Sequence, residues 1–188
     1  MSLTQYLDES AALIRQTATP EVVSAVDAAI EKIVVALGAD LPLLVCGNGG
    51  SASDAMHIAG ELVGRFLKER RALNCIALGT DAAVVTAWSN DYDYASLFAR
   101  QVDAYGRAGG VLLGISTSGN SANVIRAAEA AKAKGLAVIG LTGKGGGKLK
   151  SHCDILIEAP SDFTPQIQQI HACLYHYICD KVESALAP

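Results

Sequence analysis

The chain has 188 residues, 51% of them hydrophobic and 18% charged, enough for one compact domain with a sizeable core. Fifteen Lys and Arg against nineteen Asp and Glu leave a formal charge of -4. No basic field is available to nucleic acid, and a bound anion has to be held by local groups.

From the N-terminus, Met1 to Glu9 shows neither a basic stretch nor an apolar run, so no secretory signal is expected. Leu3, Tyr6, Leu7, Leu13 and Ile14 recur near a 3.6-residue period, and Val22, Val23, Val26, Ile30, Ile33, Val34 and Leu37 do so more strongly. Two amphipathic helices are predicted within residues 1–40, packing on the sheet that follows and on neighbouring subunits. Thr19 reads as the N-cap of the second, with Pro20 at its first position and Glu21 where the helix dipole favours an acid.

Beyond residue 41 short apolar runs alternate with Ala-rich helical stretches. The runs are Leu43 to Cys46, Asn74 to Leu78, Val111 to Ile115, Ala137 to Leu141 and Asp154 to Ile157. Such alternation implies βαβ crossovers and a five-stranded, doubly wound parallel sheet covered on both faces. A closing helix is predicted from Thr164 as N-cap and Pro165, with Ile167, Ile170, Leu174, Ile178 and Val182 on one face. No linker, repeat or low-complexity tract divides residues 1–188, so a single domain is expected. The most apolar neighbourhood, Ile33 to Cys46, is interrupted by Gly38, Asp40 and Pro42, and no membrane span is predicted. Five cysteines without a CxxC pattern fit buried free thiols in a reducing cytoplasm.

In an open parallel sheet, ligands sit at the carboxyl ends of the strands. After the first strand, Gly47, Asn48, Gly49, Gly50 and Ser51 lead straight into a helix whose N-H groups would face an anion. The match of Gly47, Gly49 and Ala52 to a relaxed dinucleotide fingerprint is not supported downstream, where Arg65 to Arg71 occupies the place of the expected acid. After the third strand, Ser116, Thr117, Ser118 and Ser121 put four hydroxyls within six residues at a helix start, a phosphate cradle. The run Gly143 to Lys148 resembles a Walker A loop but lacks glycine at Thr142 and a hydroxyl residue at Leu149. His57 and Glu61 stand four apart on one helical face, within reach of one metal ion or one substrate atom. Gln168, His171 and His176 interrupt the apolar closing helix, where a core-edge histidine satisfied by a carbonyl is the ordinary alternative for either His, and Asn90 with Asp91 reads as a loop able to meet sugar hydroxyls or equally as a solvated turn.

Taken in order, these motifs resemble the sugar isomerase (SIS) domain superfamily, and within it the branch that isomerises phosphorylated seven-carbon sugars. The resemblance rests on Cys46 to Ser51, Asp54 to His57, Glu61 to Phe66, Ala87 to Asp91, Gly114 to Ser121, Gly140 to Gly143, and Ser161, Asp162, Thr164, Ile167 and Gln168. It implies a flavodoxin-like sheet and a homotetramer with active sites at subunit interfaces. The implied reaction converts D-sedoheptulose 7-phosphate to D-glycero-D-manno-heptose 7-phosphate through an enediol, the first step toward ADP-heptose and lipopolysaccharide core. Glu61 and His176 would be the acid/base pair, and a zinc ion would be held by His57, Glu61, Gln168 and His176. Substrate contacts would come from Asn48, Gly49, Gly50, Ser51, Arg65, Asn90, Asp91, Ser116, Thr117, Ser118, Ser121 and Gln168. The other reading the resemblance allows is a non-catalytic SIS protein that binds the bacterial replication initiator or senses a sugar phosphate. Initiator-binding paralogues lack the residues matching Glu61 and His176, and this chain has both. Gln168 and His176 lie eight residues apart, roughly 12 Å along an ideal helix, so one ion meets both only by long reach, a bend, or contributions from two subunits.

Overall fold

The computed structural model describes residues 1–188. Its elements run α1 (Leu3–Gln16), α2 (Pro20–Gly38), β1 (Leu43–Cys46), α3 (Gly50–Val63), β2 (Cys75–Ala77), α4 (Ala82–Asp91), α5 (Leu97–Tyr105), β3 (Val111–Ser116), α6 (Ala122–Ala133), β4 (Ala137–Thr142), β5 (Ile155–Glu158) and α7 (Thr164–Leu186). Short 3-10 turns cover Tyr94–Ser96 and Gly147–His152. All five strands are parallel, in the order β2-β1-β3-β4-β5, with Leu43 and Ala137 both registered on Val111 of the central strand. The predicted doubly wound, flavodoxin-like sheet is the one observed. Its order reverses between β1 and β3, which brings the loops after those two strands together at one end.

Period-two alternation along the strands feeds two separate cores. Leu43, Val45, Leu113, Ile115, Ile139 and Leu141 meet α2, α3 and α7 through Ile33, Leu37, Ile58, Leu62, Ile178 and Val182. Leu44, Cys46, Leu112 and Val138 face the other way, onto α5 and α6 through Phe98, Val102, Val124, Ala127 and Ala131. The small alanines let α6 lie close to the sheet. Thr19 caps α2 as predicted, its hydroxyl accepting from the N-H of Val22 at 3.3 Å.

Three expectations are corrected. Helix α1 does not lie on the sheet beside α2; it packs mainly on α7, one layer further out, with Leu3 and Leu7 exposed. Helix α7 begins one residue earlier than predicted, so Phe163 is the cap residue and Thr164 is already helical. The nearby hydroxyl is Ser161, which accepts from the N-H of Phe163 and donates to Gln166, tightening the turn from outside the helix. Among the cysteines, Cys46, Cys75 and Cys179 are buried free thiols, whereas Cys153 is half-buried and Cys173 exposed. Burial pushes the Cys46 and Cys179 thiols up to about 12, far from thiolate chemistry at neutral pH. No helix is long and apolar enough to cross a membrane.

His171 ties α7 to the sheet by donating from Nε2 to the carbonyl of Thr142 at 3.1 Å. It is fully buried, and burial pulls its pKa down to about 4. Between about pH 6.5 and 4 the unfolded chain therefore binds a proton that the folded chain refuses, and stability falls as the solution is acidified through that window. The contribution reaches about 1.4 kcal/mol per pH unit. Urea midpoints measured from pH 7 to 4.5 should show a shallower slope in His171→Gln than in the unaltered protein. Equal slopes would mean that another group carries the titration.

Candidate active site

At the end of β1 the chain must turn sharply into α3. Gly49 adopts φ +57°, and a side chain at Gly47 would lie 2.7 Å from the carbonyl oxygen of Ser51. Ser51 is buried in the first helical turn, whereas Gly49 and Gly50 are exposed. Asn48 is held by the first turn of α6 and by the 3-10 turn after α4: its Nδ2 donates to Asn123 Oδ1 at 2.9 Å, while its Oδ1 accepts from Asn123 Nδ2 and the Tyr94 hydroxyl, both at 2.8 Å.

The loop after β3 carries the hydroxyl cradle. Ser121 takes the N-cap position of α6 without capping it; its Oγ lies 3.0 Å from Oγ of buried Ser116. Ser118 shapes the turn, its Oγ accepting from the N-H of Asn120. The loop thus gathers these residues at the N-terminus of α6, where the helix dipole favours an anion. The glycine-rich run that resembled a nucleotide loop supports this cradle instead. A side chain at Gly119 would collide with the carbonyl of Gly146, and the N-H groups of Leu149 and Lys148 bond the Gly119 carbonyl and Asn120 Oδ1.

Helices α3 and α7 pack side by side, and the contacts keep one register along both. Gln168 lies against Gly50, Tyr175 and His176 against His57, and Glu183 against the turn that follows α3. Positions 168, 175 and 183 are about two helical turns apart, so one face of α7 carries all three. This register brings His57, Glu61 and His176 together, with ligand atoms all within 4.8 Å of one another. His57 is anchored at both ring nitrogens, Nε2 to Glu61 Oε1 at 2.9 Å and Nδ1 to the Tyr175 hydroxyl at 3.1 Å. His176 donates from Nδ1 to the Ala172 carbonyl at 2.7 Å, which leaves its Nε2 with a free lone pair. A backbone partner on one nitrogen and a lone pair on the other is the arrangement a metal-binding histidine requires. Two imidazoles and a carboxylate are also a suitable donor set for zinc with a position left open. Gln168 sits beside Gly50, two turns from His176.

The remaining predicted residues are spread around this centre. Arg65 follows α3, exposed and 3.4 Å from Glu69. Asn90 and Asp91 are not in a loop as expected but form the last turn of α4, exposed, with Asn90 Nδ2 donating to Asp91 Oδ1. The helix closes only at Tyr92, and Asp93 then caps the 3-10 turn that follows. Asp54 and Tyr175 were missed. The half-buried Asp54 carboxyl is held above its ordinary range by burial, against the pull of His57, the Tyr175 hydroxyl and His176. Burial first, then Asp54, pushes Tyr175 up to about 12, so its hydroxyl stays protonated. Asp54 stands three residues before His57, a spacing that the helical period alone could have flagged.

A model of the SIS domain family matches residues 5–143. A phosphoheptose isomerase of Rhodospirillum rubrum is 54% identical over 154 residues, which span 82% of each sequence. A solved phosphoheptose isomerase from Neisseria gonorrhoeae aligns at a TM-score of 0.90, with 41% identity over 97% of both chains. Another, from Francisella tularensis, aligns at 0.92 with 36% identity over 97% and 96% of the two chains. At this identity and coverage, the chain belongs to the SIS domain family and, within it, to the phosphoheptose isomerases.

Proposed function

We propose that the protein interconverts D-sedoheptulose 7-phosphate and D-glycero-D-manno-heptose 7-phosphate, the first step toward ADP-heptose and lipopolysaccharide core. The observation that carries this reading is the convergence of Glu61 and His176 beside His57 in a chain that also bears a hydroxyl cradle at its sheet switch point. The cradle of Ser116, Thr117, Ser118 and Ser121 binds the phosphate, and Asn48, Gly49, Gly50, Ser51, Arg65, Asn90, Asp91 and Gln168 meet the sugar. Glu61 and His176 form the acid/base pair. One proton leaves C1 of the ketose and one is delivered to C2, while a proton passes from O1 to O2; the two residues carry these transfers through the enediol. His57, Glu61 and His176, with Gln168, would hold zinc, which when bound supplies positive charge beside the developing enediolate oxygens. Both residues that the initiator-binding paralogues lack are present, which favours the enzyme over a binding or sensing protein. Five free thiols support a reducing, cytoplasmic location. Incubation with sedoheptulose 7-phosphate, followed by NMR, should show the aldose appear; no conversion with zinc supplied would refute the assignment.

Residues 1–188 act as one domain that assembles as a homotetramer with active sites between subunits. Supporting this are exposed Leu3, Leu7, Val23 and Val35, and an apolar groove between α1, α2 and α7 lined by Ile14, Val22, Val26, Leu174 and Tyr177. The placement of Gln168 about two helical turns from His176 also favours a site completed across subunits. Light scattering at micromolar concentration should give the mass of four chains; a stable monomer would remove the shared-site reading.

A further inference from the structure

Between α3 and β2 the backbone from Gly64 to Asn74 forms no regular element, yet this connection encloses a pair of charges. The side chains of Arg70 and Glu183 are 0% and 1% exposed, with Arg70 Nη2 3.3 Å from Glu183 Oε1. Glu183 accepts from three successive backbone N-H groups, those of Phe66 at 2.8 Å, Leu67 at 2.6 Å and Lys68 at 2.9 Å. Consecutive amides closing on a carboxylate make a backbone anion nest. They and Arg70 hold the carboxyl below its ordinary range although burial acts the other way. Arg70 in turn donates to the carbonyls of Glu61 at 2.7 Å and of Gly64 and Arg71 at 3.0 Å.

A buried ion pair is by itself a weak source of stability, since apolar residues of similar volume often do as well. What this pair grips is more informative. Arg70 holds the main chain of Glu61, and the nest fixes Phe66, whose ring centroid lies 6.0 Å from that of His176. Arg65 sits between the two anchor points. We propose that Glu183 and Arg70 are positioning residues for the isomerase site: they fix the end of α3 and the turn after it, and so hold Glu61 and Phe66 against His176. This rests on the function proposed above. Their influence is confined to the α3 and α7 side of the sheet, because the Ser116 to Ser121 cradle opens α6, which packs in the opposite core.

The test compares Glu183→Gln with the unaltered protein, well below either melting temperature. Glutamine keeps the volume but turns an acceptor into a donor facing the nest. Zinc affinity, measured by competition with a chromophoric chelator, should fall about 10-fold, the low end of the effect of losing a group bonded directly to a ligand, because Glu183 acts on Glu61 only through Arg70 and the main chain. The kcat measured at saturating zinc should fall as well, while the inhibition constant of inorganic phosphate stays within twofold. Unchanged zinc affinity and kcat would overturn the proposal, and so would an equal weakening of phosphate binding, which marks a general structural defect. Should Glu183→Gln not fold, the double variant Glu183→Gln with Arg70→Met removes the stranded charge and carries the same test. Low zinc affinity and kcat in a folded double variant support positioning, and unaltered values refute it. Because zinc affinity is read without turnover, a native protein inactive on sedoheptulose 7-phosphate would sink the function while the positioning test still stands.

Discussion

Glu61→Gln and His176→Gln should each lower kcat by roughly 10²- to 10⁴-fold, the usual loss when a general acid or base is removed. The expectation follows from geometry. Glu61 offers one carboxylate oxygen to His57 at 2.9 Å, leaving the other free, and His176 has one nitrogen tied to a carbonyl and the other facing the same centre. Glutamine preserves the approximate shape of either side chain and removes its ability to take up a proton. Phosphate binding should survive in both variants, since the cradle belongs to α6 on the other face of the sheet. The double variant should be less impaired than the product of the single effects, as expected of the proposed acid/base pair acting as one unit. Each variant is assayed at saturating zinc, which separates lost proton transfer from lost metal affinity. Near-normal turnover in either single variant would reduce that residue to a metal-positioning role.

The sequence made the sheet legible because burial on both faces requires unbroken apolar runs, and Leu43 to Cys46 or Val111 to Ile115 fit nothing else when separated by helical stretches. Boundaries were less visible where a hydroxyl stood on the wrong side of a helix start. Thr164 next to Pro165 has the composition of a cap, but Ser161 shapes that turn from outside the helix. Helix α1 has the apolar period of a core helix, yet period alone does not say which layer a helix joins, and the sheet face was already filled by α2, α3 and α7.

The site was legible in halves. His57 and Glu61 share a helical face, and spacing shows that much; the approach of His176 depends on how α7 registers against α3, a tertiary property with no local sequence signal. The same register explains why Tyr175, Arg70 and Glu183 escaped notice. Each has a partner more than 100 residues away, His57 for Tyr175 and one another for Arg70 and Glu183, and as isolated letters they look like a core aromatic and two solvated charges. The glycine-rich run from Gly143 is legible as no nucleotide loop, since Thr142 and Leu149 break the Walker A pattern, but its structural part was not visible. Its resemblance to a nucleotide loop was superficial, because its glycines serve close backbone contact with Gly119.

That contact bears on the second large effect, expected when Ser116 and Ser118 are both changed to Ala. Hydrogen bonds to a charged group contribute about 1.5 to 3 kcal/mol each, so loss of the two proposed phosphate contacts should raise KM by about 10²-fold or more. Ser116 is buried against Ser121, and its removal leaves that hydroxyl without its partner. Ser118 also accepts from the N-H of Asn120, and Asn120 Oδ1 in turn receives Lys148. Its loss therefore loosens the turn besides deleting a donor. If the cradle binds the phosphate equally in ground and transition states, kcat changes little and the whole effect appears in KM. The inhibition constant of inorganic phosphate should rise in parallel, because that ion uses the same donors without the sugar. A double variant whose KM stays within about threefold of the unaltered value would move the phosphate elsewhere, most directly to the N-terminus of α3 beyond Gly49 and Gly50. A KM shift without a change in phosphate inhibition would instead mean that these serines meet the sugar and not its phosphate.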